Sequence, residues 1–421
     1  MKVEIIDYGM NGEGVGKIEG KVTLIPNALV GEVVDANMLT DHGNYMIGQA
    51  THIMKPSASR QVPPCPYFYK CGGCNLQHMN YAEQLKFKQI LIQKTLKKIC
   101  NIDFDVSPTV ACDTNFNYRN KATFNLKNNS VGFFEASSKE IVEIENCLLS
   151  TENINKILKI FKNYVNNNEN LADLIKNLII REINNQILVG VVAKSNVDLM
   201  DFFTLLKGEF LNIGLYIIIN TRKDSVVISG TIKHIAGIKN IQIENFGLTY
   251  FVDLVGFHQT NINIQNKLYN KVLDYVSANA QVVNGFSGQG LLSAILSKKA
   301  RSVVGIEIEK SSHLSAEALK KQNNIANLKN ILGDFGKHFN SLKPKTDILV
   351  LDPSKKGCGK KIMQDIIGVK EILYISCNPI ALCKDLNLIK EYYDIEEIIP
   401  FDMFPNTLSV ETLVKLKKKE I

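Results

Sequence analysis

The sequence predicts an α/β protein in three parts: an N-terminal β-barrel, a central α+β region and a C-terminal doubly wound parallel sheet. Two patterns carry that expectation. Residues 1–57 alternate short β-forming runs with glycine and asparagine turns, the spacing of a small barrel. The C-terminal third instead repeats strand, helix, strand, the rhythm of parallel strands joined by right-handed crossovers. A length of 421 residues agrees, because single cores stop growing at about 250–300 residues. No internal repeat or low-complexity linker marks the divisions, which are placed at 1–57, 58–250 and 251–421.

Composition narrows the class. Apolar residues make up 45% and charged residues 22%, as in an ordinary globular protein. No apolar run approaches the ~20 residues of a membrane span, and residues 1–10 lack the apolar core of a signal peptide. A cytoplasmic protein without membrane contact is expected. Nine cysteines in that compartment point to metal binding or catalysis rather than to disulfides. A net charge of +7 suits a nucleic-acid partner.

In the barrel, strands are expected at 3–6, 16–18, 22–25 and 32–34. So small a barrel has little room for an internal ligand but can offer a basic face to RNA. Residues 9–32, GMNGEGVGKIEGKVTLIPNALVGE, resemble a TRAM domain, an OB-like module of RNA-modifying enzymes. That resemblance implies RNA binding.

Cys65, Cys71 and Cys74 follow, spaced C-x5-C-x2-C, with Gly72 and Gly73 letting the backbone fold tightly around an ion or cluster. Three thiolates need a fourth ligand. Cys147 is the downstream candidate, since Cys100 lies on an expected helix and Cys112 has no special context. Four cysteines can hold zinc or a [4Fe-4S] cluster. Two x2 pairs would favour zinc; a triplet plus one distant cysteine leans to iron–sulfur. Residues 82–99 read as a helix with a lysine-rich, solvated face, and Tyr118-Arg119-Asn120-Lys121 is a denser basic and aromatic mix suited to RNA contact. Further strands are expected at 178–182, 186–192, 215–219 and 225–228.

In the C-terminal third, Ile264, Leu268, Val272 and Tyr275 share one helical face. Strands are expected at 281–286, at 302–307, ending near Asp334, at 347–352 and at 372–375, with two late strands at 395–401 and 410–417. Gly288 and Gly290 let the backbone approach a ligand at the first strand's end. Glu307 closes the next strand, about 20 residues on, where a carboxylate accepts hydrogen bonds from both ribose hydroxyls. With Asp334 at the end of the third strand, these features point to an adenosine cofactor. A dinucleotide fits less well, because Ser293 stands where the G-x-G-x-x-G pattern has its last glycine. A doubly wound sheet closed by a C-terminal hairpin is the Rossmann-like arrangement of S-adenosylmethionine methyltransferases. Cys377 sits at a strand's carboxyl end, before Asn378-Pro379, where open α/β sheets place their chemistry. From the residues alone it is either core filler or a nucleophile.

Together these landmarks resemble the RNA uracil-5 methyltransferase family, in its iron–sulfur, 23S-ribosomal-RNA branch. The matching stretches span nearly the whole chain: the TRAM-like start, the four cysteines, Tyr118 to Lys121 and Phe257-His258-Gln259-Thr260-Asn261. They continue with Phe286-Ser287-Gly288-Gln289-Gly290, Glu307, Asp352-Pro353, Ser376-Cys377-Asn378-Pro379 with Lys384-Asp385, Asp402-Met403-Phe404-Pro405, and Val410-Glu411-Thr412. The resemblance implies that Gln259, Phe286, Glu307 and Asp352 line an S-adenosylmethionine site. It also implies that Cys65, Cys71, Cys74 and Cys147 hold a structural [4Fe-4S] cluster, that Cys377 is the nucleophile and that Glu411 is the base. The expected enzyme acts as a monomer on 23S rRNA; tRNA is the alternative substrate, and a non-catalytic ribosome-assembly factor the alternative class.

Uracil C5 is a poor nucleophile toward a sulfonium methyl. A thiolate adding to C6 turns the ring into an enolate whose C5 can attack, and a base must then remove the C5 proton. Three positions depart from the family pattern. Asn284 stands where an aspartate is usual, Asp352-Pro353-Ser354-Lys355 replaces Asp-Pro-Pro-Arg, and Leu408-Ser409 stand where a histidine often precedes the base.

Overall fold

A computed structural model describes residues 1–420 of the chain. The N-terminal sheet has six strands: β1 (Lys2–Glu4), β2 (Asp7–Tyr8), β3 (Gly14–Ile18), β4 (Lys21–Ile25), β5 (Val33–Asp41) and β6 (Tyr45–Lys55). Their order is β1-β5-β6-β4-β3-β2. β1 and β2 are consecutive in the chain yet occupy opposite edges, and the Ile6 N–H donates to the Val15 carbonyl at 2.9 Å. The sheet therefore curls into a barrel, which removes free edges. Its core is small, formed by Val3, Ile5, Ile25, Ala28, Val34 and Ala36. Beneath it Glu32 is fully buried, accepting from Arg60 Nε at 2.5 Å and Nη2 at 2.7 Å and from the N–H groups of Leu29 and Ser57.

Helix α1 (Tyr81–Thr95) runs on into a five-residue π turn, Leu96–Cys100. Asn80 caps it by accepting from the Glu83 N–H at 2.9 Å. Its inward stripe is Gln84, Phe87, Lys88, Leu91, Ile92 and Thr95, at helical spacing. The expected solvated lysine face holds for Lys86, Lys97 and Lys98 but not for Lys88, which is fully buried. Lys88 falls one turn after Gln84 on the apolar stripe, and it meets the buried carboxylate of Asp402 there.

The central sheet orders β13-β12-β11-β10-β7-β8-β9, from β7 (Lys121–Lys127), β8 (Ser130–Phe134), β9 (Ile141–Glu143), β10 (Ile175–Ile183), β11 (Gln186–Ala193), β12 (Ile213–Ile219) and β13 (Thr231–Gly237). Helices α2 (Glu152–Asn166), α3 (Glu169–Ala172) and α4 (Met200–Glu209) belong to this part, and a hairpin of β14 (Ile241–Asn245) and β15 (Leu248–Val252) follows it. Strand β10 divides its side chains between two cores: Leu178 and Ile180 on one face, Ile179 and Ile183 on the other. The strand expected at 225–228 does not form. The Asn220 side-chain amide takes the Val226 and Val227 carbonyls, and β13 pairs with β12 instead.

The C-terminal part comprises α5 (Ile262–Tyr275), β16 (Gln281–Gly285), α6 (Leu291–Leu296), β17 (Ser302–Glu307), α7 (Lys310–Gln322), β18 (Leu328–Leu332), α8 (Phe335–Leu342), β19 (Ile348–Leu351), α9 (Lys360–Asp365), β20 (Glu371–Ser376), α10 (Pro379–Asn387), β21 (Tyr393–Phe401) and β22 (Glu411–Lys418). The sheet orders β18-β17-β16-β19-β20-β22-β21. The first five strands run parallel; β22 is antiparallel to both its neighbours. Both faces are covered, as a parallel sheet requires. Val282, Val350 and Leu373 pack toward α5 and α6, while Val283, Leu349 and Tyr374 pack toward α1, α9 and α10. Each fully buried aliphatic side chain contributes roughly 1.5–3 kcal/mol. Among the described residues, no helix is long and apolar enough to cross a membrane.

Candidate active site

Strand register gathers the site. Gly285 of β16 lies beside Leu351 of β19, Leu351 beside Tyr374 of β20, and Ser376 beside Thr412 of the antiparallel β22. The residues just beyond these strand ends therefore meet at one edge of the sheet. Gln259, Asn284, Phe286, Gly288, Asp352, Lys355, Cys377 and Glu411 all line one cavity of about 1070 Å³. Gly290, Glu307 and Asp334 stand outside its lining.

The turn after β16 is tightly shaped. Phe286 (φ 61°) and Gly288 (φ 54°) are both left-handed; for Phe286 that conformation costs about 1–3 kcal/mol. Its ring stacks on Phe335 at 5.4 Å. Glu307 supports the turn from behind, accepting the N–H of Gly288 at 2.8 Å and of Glu309 at 2.7 Å. Gly290 (φ 81°) brings α6 onto α7, because a Cβ there would stand 2.6 Å from the Ala316 Cβ. Asp334 caps α8 by accepting the Lys337 N–H at 3.1 Å, which accounts for a carboxylate at that strand's end. Asn284 donates to Ser293 Oγ at 2.9 Å, while its Oδ1 is buried without a partner. Asn284, the first departure, thus pairs with Ser293 and leaves an acceptor at the cavity wall.

Cys377 follows β20 and directly precedes Asn378, the N-cap of α10, which accepts from the Ile380 N–H at 3.1 Å. The positive end of that helix favours a thiolate. Burial pushes the Cys377 thiol up to about 11, and the charge of Glu411 pushes the same way; Lys355 opposes them and Asp352 adds to them. Glu411 is buried, and loss of water followed by the Asp352 charge raises it well above the ordinary carboxylate range, with Lys355 again opposing. Asp352 is raised by burial. Lys355 therefore faces a nucleophile candidate and the Glu411 carboxylate. Its loop is tied to the Cys377 turn, because Asn378 Nδ2 donates to the Lys355 carbonyl at 2.9 Å. Beyond it, buried Asp385 accepts from the N–H groups of Cys358 at 2.7 Å and Gly359 at 3.1 Å and from Tyr374 Oη at 2.6 Å. Sequence reading put Asp385 in a motif without a role; its role is to hold this loop. Of the third departure, Leu408 packs into the core beside α1, close to Gly12 of the barrel, and only Ser409 reaches the cavity.

The four cysteines line a second cavity, of about 500 Å³. They surround it rather than converge. Among the described residues no three His, Cys, Asp or Glu side chains gather closely enough to hold a metal ion as they stand, so the expected four-cysteine cluster site is not displayed by this geometry. Burial, then the nearby thiols, raises Cys71 and Cys65, and takes Cys74 to about 12. Gly72, Gly73 and Arg119 line both cavities. The segment expected to meet RNA proves partly structural: Tyr118 Oη donates to the Pro405 carbonyl and Asn120 Nδ2 to the Gln259 carbonyl, both at 3.0 Å. Arg119 and Lys121 alone of the four reach cavities. Burial, then the Arg181 charge, lowers Lys121 to about 8.

Comparison with known proteins accords with this architecture. The sequence profile of the tRNA (Uracil-5-)-methyltransferase family matches residues 80–334 and 337–419, and that of the TRAM domain matches residues 1–51. An uncharacterized RNA methyltransferase of Clostridium tetani is 31% identical over 97% of this chain and 94% of its own length. Another, of Caldanaerobacter subterraneus, is 30% identical over 99% and 98%. Among solved structures, the Pyrococcus abyssi tRNA (uracil-54, C5)-methyltransferase in complex with S-adenosyl-L-homocysteine superposes with a TM-score of 0.80 at 24% identity. That likeness covers 99% of this chain and 100% of the other, and it is one of fold. The chain belongs to the tRNA (uracil-5-)-methyltransferase family: it is an RNA uracil-5 methyltransferase whose N-terminal barrel is a TRAM domain.

Proposed function

We propose that this enzyme methylates C5 of a uridine in 23S ribosomal RNA with S-adenosylmethionine as donor, Cys377 as nucleophile and Glu411 as base. The observation that carries the reading is one cavity lined jointly by the glycine turn, Cys377 and Glu411. A donor with an ammonium group suits the orphaned Asn284 Oδ1, a buried acceptor at that cavity. Gln259, Phe286, Gly288 and Asp352 would enclose it, and Glu307, outside that lining but bonded to the Gly288 N–H, would offer the ribose hydroxyls the lone pairs its two N–H partners leave free. Bound S-adenosylmethionine supplies an electrophilic sulfonium methyl.

The protein's own part follows from charge. Cys377 adds to uracil C6 as a thiolate, and the ring becomes a nucleophile at C5. After C5 takes the methyl group, Glu411 accepts the C5 proton; the electrons of that C–H bond reform C5=C6 and the sulfur–C6 bond breaks. A carboxylate raised by burial is the stronger proton acceptor, which suits Glu411 to this step. The target base must leave its stack to reach Cys377, at roughly a few kcal/mol. In this reading residues 1–57 bind RNA, 58–250 add RNA contacts and the cluster, and 251–421 catalyse. Cys65, Cys71, Cys74 and Cys147 would hold a [4Fe-4S] cluster in preference to zinc. The donor set suits a cationic centre: four thiols share one cavity, and burial, with their mutual repulsion second, raises three of them, a cost that a cation would relieve.

The likeness in fold to the P. abyssi tRNA enzyme favours tRNA as a second substrate reading. Incubation with labelled S-adenosylmethionine and either unmodified 23S rRNA or unmodified tRNA, with Cys377→Ala in parallel, separates them. Label in rRNA that is lost in Cys377→Ala is expected. Label in tRNA alone overturns the ribosomal target, and label persisting in Cys377→Ala overturns the nucleophile.

A further inference from the structure

The loop over residues 402–410 joins β21 to β22, and Phe401 pairs with Glu411 at its base. Its Phe404, Thr407 and Ser409 line the active-site cavity. What holds it comes mostly from outside the C-terminal part. Lys88 of α1 is fully buried, and its three ammonium protons all go to this loop: to Asp402 Oδ1 at 2.5 Å, the Phe404 carbonyl at 3.0 Å and the Ser409 carbonyl at 2.8 Å. One turn earlier on the same stripe, Gln84 takes the Asn406 N–H at 2.9 Å and donates to Asn406 Oδ1 at 3.1 Å. Asn406 is left-handed (φ 67°), and its carbonyl accepts the N–H groups of Asn75 and Leu76, just after Cys74.

We propose that Lys88, with Asp402 and Gln84, is the positioning element that aims Glu411 at the C5 proton of the covalent RNA adduct. The proposal rests on the reading of Glu411 as the base. A buried ion pair is seldom needed for stability, since apolar replacements of similar volume are often neutral or better. What a lysine adds here is direction: three bonds that fix both halves of the loop, the last at Ser409, two residues before Glu411. Methyl transfer precedes the step that uses Glu411. A loosened loop therefore slows resolution of the adduct more than its formation.

The test uses the full-length protein in a single turnover with labelled S-adenosylmethionine and unmodified RNA, following methyl transfer and, on denaturing gels, the covalent protein–RNA adduct. Lys88→Met/Asp402→Asn removes both charges together, and Gln84→Leu is an uncharged second variant. Each is expected to keep S-adenosylmethionine binding and the first methyl transfer, while the methylated adduct decays roughly tenfold more slowly, part of the ~10²–10⁴ that a positioned base supplies. Glu411→Gln, run alongside, should accumulate the same adduct. Accumulation in Glu411→Gln with wild-type decay in both loop variants overturns the positioning role alone. An equal fall in transfer and decay in both variants overturns it too, since that is what a merely structural role gives. Free turnover of Glu411→Gln overturns the base, and the positioning role with it.

Discussion

Replacing Glu411 by glutamine has a second consequence, opposite in sign to the loss of the proposed base, and it can be measured without RNA. Cys377 is pushed up from 9.0 to about 11, so at pH 8 it holds roughly 100-fold less thiolate than an ordinary cysteine. Burial is the largest cause and stays in any conservative variant. The next is the negative charge of Glu411, which penalises a neighbouring thiolate; Lys355, being positive, favours it. Removing the carboxylate therefore lowers the thiol's titration, and removing the ammonium raises it. Iodoacetamide reacts with the thiolate alone, so the alkylation rate of the Cys377 peptide, followed by mass spectrometry from pH 7 to 10, reports this directly. Glu411 is itself raised, so the difference grows toward the alkaline end of that range: there Glu411→Gln should react faster than wild type, and Lys355→Met more slowly. An unchanged or slower rate in Glu411→Gln across the whole range would refute the electrostatic coupling. It would leave burial, Lys355 and Asp352 to set the thiol.

Two further predictions concern the frame around the site. Gly290→Ala places a Cβ 2.6 Å from that of Ala316 at a φ of 81°, costing roughly 1–2 kcal/mol for the left-handed backbone and as much again for overpacking. It should lower the melting temperature and weaken S-adenosylmethionine binding together in calorimetry; an unchanged melting temperature contradicts the contact. Arg60→Ala leaves the carboxylate of Glu32 buried and unpaired, costing about 3 kcal/mol at pH 7. Burial alone would raise Glu32, but Arg60 and the two N–H groups bring it below its ordinary 4.5 in the fold. The stability it contributes is thus complete above pH 4.5 and lost as pH falls through the lower folded value. The gap between Arg60→Ala and wild type should narrow from pH 7 to pH 3, and a gap constant across that range would show that lost packing, not charge, is responsible.

Much of the sheet was readable because strand and helix patterns are local. The strands expected at 302–307 and 186–192 are β17 and, within one residue, β11, since apolar runs bounded by turn residues mark their own limits. Residues 225–228 misled for the complementary reason. Their β-forming side chains are real, but backbone groups in that segment found a side-chain amide in Asn220 instead of a neighbouring strand. Asp334 and Glu307 show a related limit. An acidic residue at a strand end reads alike whether it faces a ligand, caps a helix or props a glycine turn, and only the partners tell these apart.

Residue types and their order alone carried the resemblance to the family: a cysteine after a buried strand, a glycine turn, and an acid at the start of the last strand. Those identities travel with the covalent chain and need no fold to be seen. Convergence was left to the tertiary structure. Cys377 and Glu411 share a cavity because β22 runs antiparallel to β20 in a register set by side chains on both faces of the sheet. Likewise Lys88 looked like a solvent lysine, since a charge on a helix shows its cost or its use only once a partner more than 300 residues away closes over it. The four cysteines, a local triplet and one distant residue, surround a cavity without converging on a point. Their mutual distance depends on two segments that no local rule connects.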